Sequence, residues 1–155
     1  MARIIAAPDG MDEVQARAAL VSAGVQLLPA TDADGAVDAA ILELVLEPQA
    51  RFVRDVMTAE PPEAGAEDAG MCAWHVNAVD EVHSVLDGTG VMEFVTGAGI
   101  VSVVVEGGDV VVIQQAEHRY RALSPQRWAV RWAGPFHSGL AATPTGRMSS
   151  AWGLP

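Results

Sequence analysis

Short runs rich in Val and Ile, separated by glycine-containing turns, dominate the chain from Met71 onward. Runs of this kind predict β-strands. Six of them stand out, at residues 81–86, 91–95, 100–105, 110–114, 118–122 and 128–133. Turns are predicted at 87–90, 96–99 and 106–109. Short, evenly spaced strands with no helix between them predict an antiparallel β-sandwich or small barrel.

The pattern before residue 71 is different. Residues 2–7 predict a short strand, which a turn at 8–10 ends. A helix is predicted over residues 11–23, with Gly24 as its stop, because one face carries the apolar residues Met11, Val14, Ala18 and Val21.

Further along, the sequence predicts a second helix at 36–47, a third element at 50–57 and a surface loop at 61–70. With 155 residues and 50% hydrophobic content, the chain is long enough for one compact domain. We therefore expect a single domain with a mostly helical N-terminal part at 1–70, a barrel core at 71–134 and a tail at 135–155.

Charge and cysteine content narrow the possible partners. The net charge is −11, from 20 acidic and 9 basic residues, which disfavours nucleic acid and anionic membranes. The apolar runs are also far shorter than the roughly 18 residues of a membrane span. The single cysteine, Cys72, rules out an internal disulfide, and no secretion signal is evident, so we expect a cytoplasmic protein that binds a small molecule or another protein.

Candidate chemistry is concentrated between Trp74 and Gly88, in the stretch WHVNAVDEVHSVLDG. In a strand, side chains two residues apart share a face, so Glu81 and His83 point into the same space. His75 and Asn77 form a second such pair. A carboxylate and an imidazole are costly to bury without partners, and a metal ion would be a suitable partner for both.

These residues resemble the first sequence motif of the cupin superfamily. His75, Asn77, Glu81 and Gly88 stand where that motif has His-x-His, a glutamate and a glycine. Residues 108–118 resemble the second motif, which supplies the last histidine, here His118.

Within the cupins the chain resembles acireductone dioxygenase. That family's Asp-Glu-Val-Arg followed by Gly-x-Gly is similar to residues 80–83 and 88–90, and its Gly-Asp strand followed by a histidine and an aromatic is similar to 108–109 and 118–120. Weaker matches at 20–27, 128–132 and 145–146 extend the resemblance over nearly the whole chain. The resemblance implies a mainly β fold, a cupin-type antiparallel β-barrel (double-stranded β-helix) with N-terminal helices.

The resemblance also implies a metal site. The family binds Fe or Ni through three histidines and one glutamate and cleaves an enediol with dioxygen. By position, the ligands here would be His75, Asn77, Glu81 and His118. The Asn amide oxygen is a weak ligand, so two histidines and a carboxylate form the main set, as in the facial triad of Fe(II) oxygenases. The expected cofactor is a divalent metal ion, Fe(II) first, with Ni or Zn as alternatives.

Two departures from the family predict a different substrate. The arginine two residues after the glutamate is His83 here, which can act as an acid, a base or a replacement ligand. The Pro-x-Gly before the last histidine is Gln114-Gln115-Ala116, with one residue fewer.

We therefore expect a metal-dependent, dioxygenase-like cupin enzyme with Glu81 and His83 as catalytic residues. Its substrate would be a small oxygenated metabolite of specialised metabolism, with dioxygen as co-substrate. A non-oxidative isomerase, cyclase or lyase on the same scaffold is the first alternative, and a cupin that binds a small molecule without turnover is the second. Pairing through exposed strand edges makes a homodimer the default oligomer.

Other notable side chains have simpler interpretations. Cys72 is expected to be a small buried residue, and Trp74, Phe94, Trp128 and Trp132 to be core or pocket wall. Glu117 and Arg119 flank His118 and point to the opposite face of its strand, so a surface role is expected for both.

Overall fold

The computed structural model of the chain describes residues 2–28, 52–133 and 142–154. The predicted helix at 36–47 lies outside these residues. Within them, two antiparallel sheets enclose one core, and the predicted antiparallel sandwich is confirmed.

The first sheet has six strands: β1 (Arg3–Ala6), β4 (His75–Asn77), β6 (Thr89–Thr96), β7 (Gly99–Glu106), β9 (His118–Ala122) and β11 (Ala142–Pro144). The second has five: β2 (Val25–Leu28), β3 (Phe52–Ala59), β5 (Glu81–Asp87), β8 (Val110–Ile113) and β10 (Gln126–Ala133). Across the described residues, their orders are β1-β7-β6-β9-β4-β11 and β2-β8-β5-β10-β3. All six strands predicted from the sequence are present, with ends that differ by at most two residues.

The predicted helix is present as α1 (Glu13–Ser22), which begins two residues after its predicted start and ends one residue before its predicted end. Asp12 accepts a hydrogen bond from the Gln15 backbone N–H at 2.8 Å, and the Gln15 side chain accepts from the Asp12 N–H at 2.9 Å, so the two residues form a capping box. The predicted buried face was wrong. Its apolar residues are spread around the helix, and packing against β2 and β6 buries Ala16 and Leu20, while Val14 stays 77% exposed.

The core lies between the two sheets. Phe94 and Val103 of the first sheet join Val85, Val111 and Val130 of the second in one buried cluster. Trp74, Phe94, Trp128 and Trp132 are all buried, which confirms the prediction that they are core or pocket wall. Trp128, Val130 and Trp132 lie two residues apart along β10 and all belong to this cluster, as expected where one strand face meets the core.

The corner between β5 and β6 moves the chain from one sheet to the other. Gly88 occupies it with a φ of 80°. A Cβ built there would lie 2.2 Å from the Pro125 carbonyl oxygen and 2.7 Å from the Gln126 Cα. Only glycine combines this conformation with this close approach.

We expect Gly88→Ala to lower the free energy of unfolding by about 2–4 kcal/mol, because it adds left-handed strain to a backbone clash. Gly97→Ala is the matched control. Gly97 lies in the β6–β7 turn with nothing within 4 Å of its built Cβ, so a change of less than about 0.5 kcal/mol is expected. Urea denaturation of both variants tests the difference, and equal losses would contradict the assignment of Gly88 as the corner.

The N-terminal part departs from the predicted organisation. Its described residues hold one α-helix and three strands, so a mostly helical segment is wrong for them. The element predicted at 50–57 is strand β3, which pairs along its whole length with β10, and β1 and β2 pair with β7 and β8. Residues 142–144 of the predicted tail also form a strand, next to β4. No helix of the described residues has the length and apolar character needed to cross a membrane.

Candidate functional site

Pairing between β4 and β9 places His75 opposite His118, with ring centroids 4.4 Å apart. Both rings are held in the same way. Each Nδ1 lies 2.8 Å from the carbonyl oxygen two residues upstream, that of Ala73 for His75 and that of Ala116 for His118. A carbonyl oxygen only accepts, so each Nδ1 carries the proton and each Nε2 keeps its lone pair. Metal-ligating histidines are commonly oriented by this arrangement.

The altered segment before His118 still delivers the histidine to the site. Gln115 has a φ of 56° and is the non-glycine residue with positive φ among those that the structure describes. This left-handed residue turns the chain sharply, so that β9 begins at His118 with the Ala116 carbonyl facing the ring.

Glu81, on β5 of the other sheet, is the residue that the other polar side chains of the site contact. Its side chain is 1% exposed. Oε1 accepts a hydrogen bond from the Asn77 Nδ2 at 2.7 Å and lies 3.3 Å from His118 Nε2. Oε2 lies 3.2 Å from His83 Nε2, although the two groups are not aligned as a hydrogen bond. Two strands of one sheet and one of the other therefore meet at a single carboxylate.

The environment shifts the acid–base properties of both buried partners. Burial raises the pKa of Glu81, but the attraction of His83, then of His118, and the Asn77 hydrogen bond outweigh it, so the net pKa is below its ordinary value. Burial lowers the pKa of His118 to about 4, against the opposing charge of Glu81. At neutral pH the site therefore combines an ionised carboxylate with a neutral His118.

His83 lies close to the Glu81 carboxylate. It follows Glu81 by two residues on β5, so it shares the inward face, and its side chain is 13% exposed. Its ring lies 6.4 Å from that of Trp128. His83 thus stands between the Glu81 carboxylate and the aromatic wall of the cavity.

All five residues singled out from the sequence line one cavity of about 110 Å³. They are His75, Asn77, Glu81, His83 and His118. The rest of its described wall is mainly apolar, with Met57, Met71, Val85, Met92, Val105 and Ala142, and it is completed by Tyr120, Gln126 and Trp128. The cavity is smaller than the roughly 300–1,000 Å³ of a pocket for a drug-sized ligand, so a molecule that fits it would have few atoms.

The donor set matches a divalent metal in its chemistry, since neutral imidazoles and a carboxylate are ordinary ligands of Fe, Ni and Zn. Glu81 Oε2 and Asn77 Oδ1 are also buried without a hydrogen-bond partner among the described residues. As placed, however, no three His, Cys, Asp or Glu side chains of the described residues are arranged to hold an ion. The nitrogens of His83 and His118 contact the Glu81 oxygens directly. The Asn77 amide N–H donates to one of these oxygens, Oε1.

Arg119 was predicted to lie on the surface, and that prediction is wrong. The side chain is 0% exposed and pairs with Glu93, with Nη2 2.6 Å and Nε 2.7 Å from Oε2. Its guanidinium stacks on Trp152 at 3.9 Å and on Trp74 at 4.7 Å. The outer face of β9 is covered by the C-terminal segment at 145–154, which sequence alternation cannot reveal. Cys72 is buried as predicted, and burial raises its pKa.

Sequence reasoning missed two cavity residues, Tyr120 and Gln126. A signal for Tyr120 was available, because it follows His118 by two positions and so shares the inward face of β9. Gln126 precedes the predicted start of its strand. Since β10 begins at Gln126, this residue shares the inward face with Trp128.

No protein-family profile matches the chain, and neither does any curated protein. Solved structures do match. Acireductone dioxygenase from Bacillus anthracis, with a cadmium ion in its active centre, aligns over 87% of this chain and 92% of its own, with a TM-score of 0.54 and 18% identity. The chain has the cupin fold.

Other cupins align more weakly. A mutant of Bacillus subtilis oxalate decarboxylase matches 78% of this chain and 27% of its own, with a TM-score of 0.46 and 12% identity. The Lactobacillus farciminis oxalate decarboxylase–formate complex matches 79% and 31%, with a TM-score of 0.45 and 13% identity. At these identities the likeness concerns the cupin fold, and activity has to be argued from the site.

Proposed function

We propose that the chain is a metal-dependent cupin enzyme that acts on a small oxygenated metabolite. His75, Glu81 and His118 would hold the ion. The observation that carries this proposal is the pair of histidines whose Nδ1 atoms are tied to backbone carbonyls, beside a buried carboxylate that no Lys or Arg of the described residues neutralises. A buried carboxylate favours a cationic partner, and a divalent metal ion beside the two histidines would provide one.

Fe(II) held by His75, Glu81 and His118 would supply the redox chemistry for a reaction with dioxygen. The residues of the chain provide the rest. The Ala73 and Ala116 carbonyls keep both Nε2 atoms directed at the site, and Asn77 holds Oε1 of Glu81 through its amide N–H. Asn77 is thus proposed as a positioning residue rather than a strong ligand. The methionine and valine wall excludes water from the bound substrate.

His83 is the proposed proton carrier. Its Nε2 faces the cavity 3.2 Å from Glu81 Oε2, within reach of a substrate hydroxyl or an acidic C–H. A fixed arginine would only stabilise negative charge, whereas an imidazole can take up and return a proton near neutral pH.

The position of His83 also favours a second candidate, non-oxidative proton transfer as in an isomerase, cyclase or lyase. In that reaction a Zn or Ni ion would polarise a carbonyl. Dioxygen consumption separates the two candidates once a substrate is found. An oxygenase consumes dioxygen in proportion to substrate, and the non-oxidative enzyme turns over equally well without it.

The first test is the metal content of protein purified without added metal or chelator. We expect close to one ion per chain in the parent protein and a loss of affinity of at least about 100-fold in His75→Ala and His118→Ala, since altering even outer-shell partners costs about 10–100-fold. His83→Gln is the matched control. It lines the same cavity but is not one of the proposed ligands, so metal content should be retained.

Two results would contradict the proposal. Parent protein that stays empty on reconstitution with Fe(II), Ni or Zn would leave a metal-free binding role. Loss of the ion in His83→Gln with retention in His75→Ala would mean that the ligand set includes His83 in place of His75.

A further inference from the structure

The cavity wall contains a second polar group next to the proposed metal donors. Tyr120, Gln126 and Trp128 are 7%, 3% and 4% exposed, and all three line the cavity. The Tyr120 hydroxyl, both polar atoms of the Gln126 amide and the Trp128 indole N–H are buried without a hydrogen-bond partner among the described residues. Leaving such groups unpaired is costly, and a cluster of them requires an explanation.

The three side chains come together in space. A Cβ built on Gly90 would lie 2.5 Å from Tyr120 Oη and 2.6 Å from Gln126 Oε1, so both polar atoms lie against the same bare stretch of backbone. The Tyr120 and Trp128 rings pack against each other, with centroids 5.1 Å apart and planes tilted by 50°. All three side chains line the cavity, so a small molecule that enters it would lie beside these unpaired polar atoms.

The position of this cluster relative to the metal donors follows from the strands. Tyr120 lies two residues beyond His118 on β9, a distance of roughly 7 Å along a strand. On β10, Trp128 pairs with Val85, two residues beyond His83 on β5. A ligand that spans both regions is therefore short, with a few bonds between its two ends.

The chemistry of the cluster selects an uncharged group. Among the described lining residues, Glu81 and the three histidines carry the ionisable groups near the metal donors, and Tyr120 is the remaining titratable one. The cluster itself consists of a phenol, an amide and an indole, none of which carries a formal charge. An ionic ligand group here would be desolvated without a counter-charge. Trp128 only donates, whereas the hydroxyl and the amide both donate and accept, so the best partner accepts and donates as well.

We propose that Tyr120, Gln126 and Trp128 form a substrate-recognition subsite for a neutral donor–acceptor group, a carboxamide or a hydroxyl. The subsite itself requires no metal; its assignment to a substrate rests on the proposed function. The substrate would then carry an oxygenated end at His75, Glu81 and His118 and an uncharged polar group a few bonds away.

Butyramide and its near-isostere 2-pentanone test the subsite, because the ketone accepts hydrogen bonds but cannot donate them. Binding is measured with as-purified and with chelator-treated protein, from the indole N–H resonances of the tryptophans, with Trp128→Phe identifying the Trp128 signal. We expect butyramide to bind at an order of millimolar affinity, at least about fivefold tighter than 2-pentanone, and to move the Trp128 resonance.

Variants separate recognition from a structural role. Tyr120→Phe and Trp128→Phe should each weaken butyramide about threefold to tenfold, the effect of one neutral hydrogen bond, and Gln126→Leu should abolish the preference over 2-pentanone. Trp132→Phe is the matched control, because Trp132 is equally buried on β10 but does not line the cavity. Tyr120→Phe should leave the melting temperature unchanged or higher, since it removes an unpartnered group.

Equal affinity for the two probes, or variants that leave butyramide binding unchanged, would overturn the subsite and indicate that trapped water satisfies these groups. Loss of metal binding would not overturn the subsite. Selective butyramide binding by metal-free protein supports the subsite even if the metal proposal fails, and metal-loaded protein without this selectivity rejects the subsite alone.

Discussion

Glu81→Gln is expected to reduce metal affinity by at least about 100-fold while the protein stays folded. Glutamine keeps the size of the side chain and removes the charge at the hub of the site, where Asn77, His83 and His118 all approach the carboxylate. Because no Lys or Arg of the described residues pairs with Glu81, the change in unfolding free energy should stay within about 1 kcal/mol.

Glu93 provides a matched control, since it is another glutamate that is 1% exposed. Its carboxylate is paired with Arg119 and accepts from the Ser102 hydroxyl at 2.8 Å and the Gly153 N–H at 2.7 Å. Glu93→Gln should therefore lower stability and leave metal content unchanged. Chelator competition measures the metal affinity of both variants, and urea denaturation measures their stability. Glu81→Gln should lose mainly metal affinity, and Glu93→Gln should lose mainly stability. If Glu81→Gln binds the metal as tightly as the wild-type protein, the Glu81 carboxylate is not a metal ligand.

Arg119→Met is expected to lower the free energy of unfolding by about 3–5 kcal/mol, because it leaves Glu93 as a buried charge without its partner. The guanidinium also donates to the Ser150 carbonyl at 3.0 Å and lies between the Trp74 and Trp152 rings. Its loss should release the C-terminal segment at 145–154 from the outer face of β9. Methionine preserves much of the packing of the side-chain stem, so the effect isolates the charge and its hydrogen bonds.

Urea denaturation provides the measurement, and Arg127→Met is the matched control. Arg127 pairs with Asp87 at 2.9 Å, but both side chains are 56% exposed, so about 0–1 kcal/mol is expected. The double variant Arg119→Met/Glu93→Met should recover most of the loss, since replacing both members of a buried pair by apolar groups is often nearly neutral. A loss of less than about 1 kcal/mol in Arg119→Met would contradict the role assigned to the pair.

The two buried glutamates illustrate how stability and function are divided in this fold. Glu93 has its full set of partners on the outer side of the first sheet, where it ties the C-terminal segment down. Glu81 faces Asn77, His83 and His118 in the cavity, as expected for a residue kept for binding rather than for stability.

Much of the architecture from residue 81 to residue 133 could be predicted, because strand alternation and glycine turns are local properties of the chain. The same period of two placed Glu81 and His83 on one inward face. The similarity of residues 75–88 and 108–118 to cupin motifs brought His75 and His118 to the same region, and the structure places all of them on one cavity.

The N-terminal strand β3 could not be predicted from local alternation. Residues 52–59 carry no clear alternation, and they form β3 because β10 offers an unpaired edge along eight positions. Strand formation there depends on a partner some 70 residues away in sequence.

Arg119 and Tyr120 show what could not be predicted from the sequence, namely which segments cover the two faces of β9. Alternation states that they point to opposite sides of β9, which is correct, but it does not state what covers each side. A distant segment at 145–154 turned the outer side into a second buried layer, and the approach of Gly90, Gln126 and Trp128 placed a cluster of polar groups beside Tyr120 on the inner side. The sequence by itself determined strand positions and donor residues, because these follow from local periodicity. The burial and partners of those residues were decided only by the tertiary structure, because they arise from contacts between segments far apart in the chain.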